Sequence, residues 1–82
     1  MNKEKREISR KILTEQEKLV NKVLEHYKFE TDKLKMIDLY FFNGKTIVYT
    51  CLAVGICRAT FFNWANEILE IAYKWAKELK LI

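Results

Sequence analysis

The residues of this 82-residue chain whose spacing could do chemistry lie between Ile47 and Asn66, IVYTCLAVGICRATFFNWAN. Small Cys51 stands four places before Gly55, and apolar Val54 and Ile56 flank that glycine. Phe61 and Trp64 follow five and eight places after Ile56. A helix-turn-helix requires such a set. A small residue in the first helix admits close crossing, glycine permits the left-handed turn, and apolar residues on both sides set the crossing angle. Cys57 occupies the place where Ser or Thr usually caps the second helix, and a thiol is a weaker acceptor.

Helical geometry then assigns faces. Phe61, Trp64 and Ile68 point inward, whereas Arg58, Ala59, Phe62, Asn63 and Asn66 face outward, with Cys57 at the leading edge. Such a face suits a DNA major groove. Arg58 can read guanine bidentately or hold a phosphate, Asn63 can pair with adenine, and Phe62 can touch a thymine methyl or fill a dimer seam. Thr60 can hold a phosphate or bond back to its helix, and Lys45 and Thr46 begin the preceding helix where phosphates are contacted.

Other chemistries lack their parts. His26 is the only histidine, and no acid or nucleophile is arranged around it. Cys51 and Cys57 do not have a zinc-site spacing, and no further Cys or His pair completes four ligands. Gly44 and Gly55 stand apart, so no phosphate-cradling loop is expected. Glu15, Glu17, Glu25 and Glu30 suit a solvated face. The sequence therefore predicts no catalytic residues, no metal and no cofactor.

The net charge is only +4, but no acid occurs between Asp38 and Glu67, where the charges are Lys45 and Arg58. A surface lying against phosphate favours such a stretch; so does a core-rich segment poor in charge of either sign. With so few cations on the second motif helix, a monomer makes few phosphate contacts. Dimerisation or the basic residues Lys3, Lys5, Arg6, Arg10 and Lys11 would supply more.

The elements that must position these residues follow from periodicity. Two glycines and no proline cannot punctuate an all-β chain, so a few long helices are expected. A first helix spans about Ile8 to Tyr27; the capping-box pattern Thr14 to Glu17 predicts that its stable part starts at Thr14. Residues 1–13 would then be a charged arm or frayed helix, and 14–82 a single domain. Thr31 or Asp32 caps a second helix running to Phe42, which Asn43-Gly44 stops. A third covers Thr46 to Ala53, although its β-branched residues also suit a strand. The last runs from Arg58 to about Leu79. Leu69, Tyr73 and Ala76 widen its apolar stripe beyond what the short helices cover, which predicts packing on the first helix or a dimer interface.

The expected fold is thus all-α, a helix-turn-helix bundle of about four helices with a long N-terminal helix and a long C-terminal recognition helix. The first dozen residues are charged, without the apolar core of a signal peptide. The uncharged stretch Thr46–Cys57 is too short to span a bilayer, and two cysteines make no disulfide framework. A soluble cytoplasmic protein with no membrane partner is expected.

From about Leu19 to Ile82 the chain resembles the C-terminal part of phage late-gene transcriptional activators of the RinA/ArpU type, which in turn resemble sigma-factor region 4. The carrying residues are Asp38-Leu39-Tyr40-Phe41-Phe42, Gly44-Lys45-Thr46, Gly55-Ile56-Cys57-Arg58-Ala59-Thr60-Phe61-Phe62-Asn63-Trp64 and the ending Ala76-Lys77-Glu78-Leu79-Lys80-Leu81-Ile82. The family's first motif helix is usually more polar and acidic than Ile47-Val48-Tyr49-Thr50, and its recognition helix usually carries more Arg and Lys. The resemblance implies a phage or prophage transcriptional regulator in a bacterial host, acting on double-stranded DNA with RNA polymerase as a further partner; the apolar surplus and the sparse charge of the recognition helix predict a homodimer. The alternatives are a small terminase-like packaging component and a protein-interaction module on a degenerate helix-turn-helix.

Overall fold

The computed structural model describes residues 3–81, and all regular structure among them is helical. The elements are α1 (Lys3–Glu15), α2 (Glu17–His26), α3 (Thr31–Met36), a π-helical segment (Ile37–Phe42), α4 (Ile47–Val54) and α5 (Arg58–Glu78). The chain is therefore all-α, with five α-helices where about four were expected.

The additional helix comes from a break at Gln16. The run from Thr14 to Lys18 holds no apolar residue, so a straight helix would put Gln16 and Glu17 on the stripe after Leu13. Gln16 instead takes an extended backbone, φ −105° and ψ 105°. The stripe then resumes at Leu19 and Val23, both fully buried like Leu13. Thr14 does not cap a helix, contrary to the capping-box expectation. It lies inside α1, and its hydroxyl donates back to the carbonyls of Arg10 and Lys11 at 3.1 and 2.9 Å. Most of the segment expected as an arm or frayed helix belongs to α1, where Ser9 and Leu13 are buried; Met1 and Asn2 lie outside the described residues.

Glu30, not Thr31 or Asp32, precedes the first turn of α3: its carbonyl accepts from the Leu34 amide at 3.0 Å. Asp32 lies within that turn, where a carboxylate suits the helix dipole. The chain then widens into the π-helical segment, which closes with Asn43 N–H on the Asp38 carbonyl at 3.0 Å. Gly44, at φ +65°, turns the chain toward α4.

The 21-residue α5 is the scaffold's axis, and α1, α2 and α4 all pack against it. Ala65, Ala72 and Ala76 lie on its buried side with Phe61, Ile68 and Leu69, and small residues let neighbouring helices approach closely. Past α5, Lys80 takes φ +57° and Leu81 N–H reaches the Ala76 carbonyl at 2.8 Å, a Schellman-type end formed without glycine. No single described helix is long and apolar enough to cross a membrane.

Candidate nucleic-acid interface

Thr46 begins the motif. Its backbone is extended, and its hydroxyl accepts from the Tyr49 amide at 3.0 Å, a side-chain N-cap. The β-branched run after it is helical, not a strand. Thr50 is fully buried, and its hydroxyl donates to the Thr46 carbonyl at 2.8 Å, so a polar side chain enters the core without an orphaned hydrogen. Cys51 is buried beside it, consistent with a small residue at the crossing.

The Cys51 carbonyl accepts from the amides of both Gly55 and Ile56, at 2.8 and 3.0 Å, which ends α4. Gly55 sits at φ +82°, and a Cβ built there would meet no atom within 4 Å. The turn needs glycine for its backbone conformation, not for space. Helices α4 and α5 then cross at 100°, within the range of helix-turn-helix units.

At the start of α5, Cys57 is the N-cap residue, but its side chain makes no capping bond. Its exposed thiol lies 3.3 Å from the Thr60 hydroxyl. That hydrogen bond favours the thiolate and holds Cys57 below the ordinary thiol pKa. Arg58, Ala59 and Asn63 are exposed, and Arg58 has no ion pair among the described residues. Phe62 is half exposed, its ring edge-on to buried Phe61 at 5.5 Å. Thr60 is half-buried. Phe61 and Ile68 are buried as expected, and Trp64 is half-buried against the core.

The packing settles three expected assignments. Asn66 is half-buried, and its Oδ1 accepts from Arg6 Nη2 of α1 at 3.0 Å, so it serves the α1–α5 junction and not an open reading face. Of the two alternatives for Leu69 and Ala76, packing on the first helix or a dimer interface, the structure shows the first: both are buried within the single chain, where α1 and α2 pack along α5. Tyr73 keeps part of its surface, with the Lys5 and Lys77 ammonium groups each 5.2 Å from its ring centre. Of the two residues expected to meet phosphates at the start of α4, Lys45 is exposed with its ammonium over the Tyr49 ring, and the Thr46 hydroxyl is engaged in the cap.

The potential around the motif is set by where the acids are. Asp38 and Glu67 bound the acid-free stretch, and Glu67 is paired with Lys33 at 2.7 Å. Burial of the Lys33 ammonium pulls its pKa down, but the hydrogen bonds it donates to Glu67 and then Glu30 outweigh this and hold it above the ordinary lysine value. The motif's own two cations, Lys45 and Arg58, are in no ion pair among the described residues.

Sequence reasoning missed how α1 joins this surface. Lys3, Arg6 and Arg10, spaced three and four apart, share one helix face and line a groove of about 470 Å³ with Tyr40, Phe62 and Asn66. That spacing was visible in the sequence; the side of α5 it would face was not. Comparison with protein-family models, curated proteins and solved structures finds no match for this chain.

Proposed function

We propose that this chain is a sequence-specific DNA-binding transcriptional regulator, of the phage late-activator kind that its motif resembles, acting in a bacterial cytoplasm. The observation carrying this reading is the 100° crossing of α4 and α5 on Gly55, with Arg58, Ala59, Phe62 and Asn63 on the open side of α5. In this reading the first two turns of α5 enter the major groove. Arg58 reads guanine or grips phosphate, Asn63 reads adenine, and Lys45 approaches the backbone. RNA polymerase is the proposed further partner, and a homodimer the proposed working form.

Binding to a fluorescein-labelled duplex, followed by anisotropy from low to moderate salt, tests the reading. We expect affinity that falls steeply with salt and falls again in Arg58→Ala. An Arg58→Ala variant that binds like the parent would remove groove reading by this helix.

One observation favours a second reading. On α4 the usual pattern is inverted: Thr50 and Cys51 face inward, while Val48, Tyr49 and Leu52 are 51%, 51% and 79% exposed. Exposed apolar helix faces mark protein contacts. If no duplex binds even at low salt, a protein-interaction module using this face becomes the better account. A monomeric mass at high concentration would remove the homodimer.

A further inference from the structure

We infer that Arg6 and Arg10 of α1 form a second phosphate-contacting element beside the recognition helix, an inference that rests on the DNA-binding reading above. Contacts between the two helices run in opposite directions along the chain. Lys5 lies over Tyr73, Arg6 bonds Asn66, and Arg10 lies 5.3 Å from the centre of the Tyr40 ring, which itself meets Phe61 edge-on at 5.0 Å. Helix α1 is therefore antiparallel to α5 and borders its Phe62–Asn66 side.

How the arginines are held decides the ligand. Arg6 is fixed by a neutral amide and Arg10 by a neutral aromatic ring; neither is in an ion pair among the described residues. Each guanidinium is thus positioned without its charge being cancelled, and a positioned guanidinium loses less freedom when it grips an anion. The groove they line also carries Lys3 against a single acid, Glu7. An anion entering it lies next to Phe62, on the face that reads bases in the proposed complex. The backbone phosphates flanking the major groove have that chemistry and that position. Half-buried Asn66 is then a positioning residue for Arg6.

The test is the salt dependence of binding to a labelled duplex of mixed sequence, because phosphate contacts are sequence-independent. Each contact contributes about −0.9 to the slope of log K against log salt concentration. We expect Arg6→Gln with Arg10→Gln to reduce the slope by about 2, Arg6→Lys with Arg10→Lys to retain it, and Lys18→Gln, away from the groove, to leave it unchanged. Circular dichroism confirms that each variant is folded, and the single variants Arg6→Gln and Arg10→Gln, each expected to reduce the slope by about 1, carry the comparison if the glutamine pair is not. An unchanged slope in the glutamine pair, or a loss of slope in the lysine pair, while Arg58→Ala still loses affinity, overturns this inference and leaves the DNA reading standing. An equal loss in Lys18→Gln means diffuse attraction and also overturns it. Absence of salt-dependent binding by the parent overturns both.

Discussion

Lys33 Nζ lies 2.7 Å from Glu67 Oε2, tying α3 to α5 across 34 residues of chain. The same ammonium reaches Glu30 at 3.2 Å and stands over the rings of Tyr27 and Trp64 at 5.3 and 5.6 Å. The Lys33 side chain is 15% exposed and that of Glu67 46%, so water screens one end of the pair. We expect Glu67→Gln to lower stability by about 0.5–1 kcal/mol. Lys33→Ala should cost more, because it also removes a largely buried side chain whose ammonium stands over two rings. Urea denaturation checks the order; a Glu67→Gln loss larger than that of Lys33→Ala would contradict it.

Tyr27 predicts an alkaline limit to stability. Burial first, then the Glu67 and Glu30 charges, holds its hydroxyl well above the ordinary tyrosine pKa. A pKa raised on folding stabilises the fold below the unfolded value and is lost as pH rises through the folded value. Lys33 is raised too and acts in the same direction. The melting temperature should therefore be flat with respect to these groups up to about pH 9 and fall from about pH 10. The buried Tyr27 hydroxyl has no hydrogen-bond partner among the described residues, so Tyr27→Phe should be neutral or stabilising at pH 7 and should soften the alkaline fall. A marked loss at pH 7 would show that the hydroxyl is satisfied after all.

The two glycine turns isolate a backbone term. At Gly44 and Gly55 an added Cβ meets nothing within 4 Å, yet φ is +65° and +82°. Alanine at either site should cost about 1–2 kcal/mol from the left-handed conformation alone. Gly55→Asn should cost less than Gly55→Ala, since asparagine tolerates this region better. Thermal melts of the three variants decide it, and an alanine variant as stable as the parent would show that the turn can relax.

The caps of α4 and α5 differ in kind. Thr46 makes a capping bond and Cys57 does not. Thr46→Ala should cost about 1 kcal/mol, while Cys57→Ser should gain a few tenths or more by supplying the better acceptor. The exposed, acid-shifted Cys57 thiol should also react with iodoacetamide well before buried Cys51. Mass spectrometry of a time course reads the order directly, and Cys51 modified first would refute it.

The sequence by itself determined the all-helical class, the sites of both sharp bends and the start of α4. Those features are local: Gly44 and Gly55 take conformations that other residues resist, and Thr46 caps through its own side chain three residues along. The buried positions of Phe61 and Ile68 were legible from helical periodicity for the same reason. What one element faces is not local, and there the sequence was silent or misleading. Thr14 carried a capping pattern, but the apolar stripe was better buried by a break two residues later, at Gln16. Nothing in Ile37–Phe42 announces a π-helical segment, since its apolar residues fit ordinary helical spacing equally well. For Leu69 and Ala76 the sequence left packing on the first helix and a dimer interface both open, and burial under α1 and α2 decided it. Arg6 and Asn66, 60 residues apart, became one feature only when α1 folded back along α5. Helical periodicity says which side chains share a face. Only packing in three dimensions decides which face meets which.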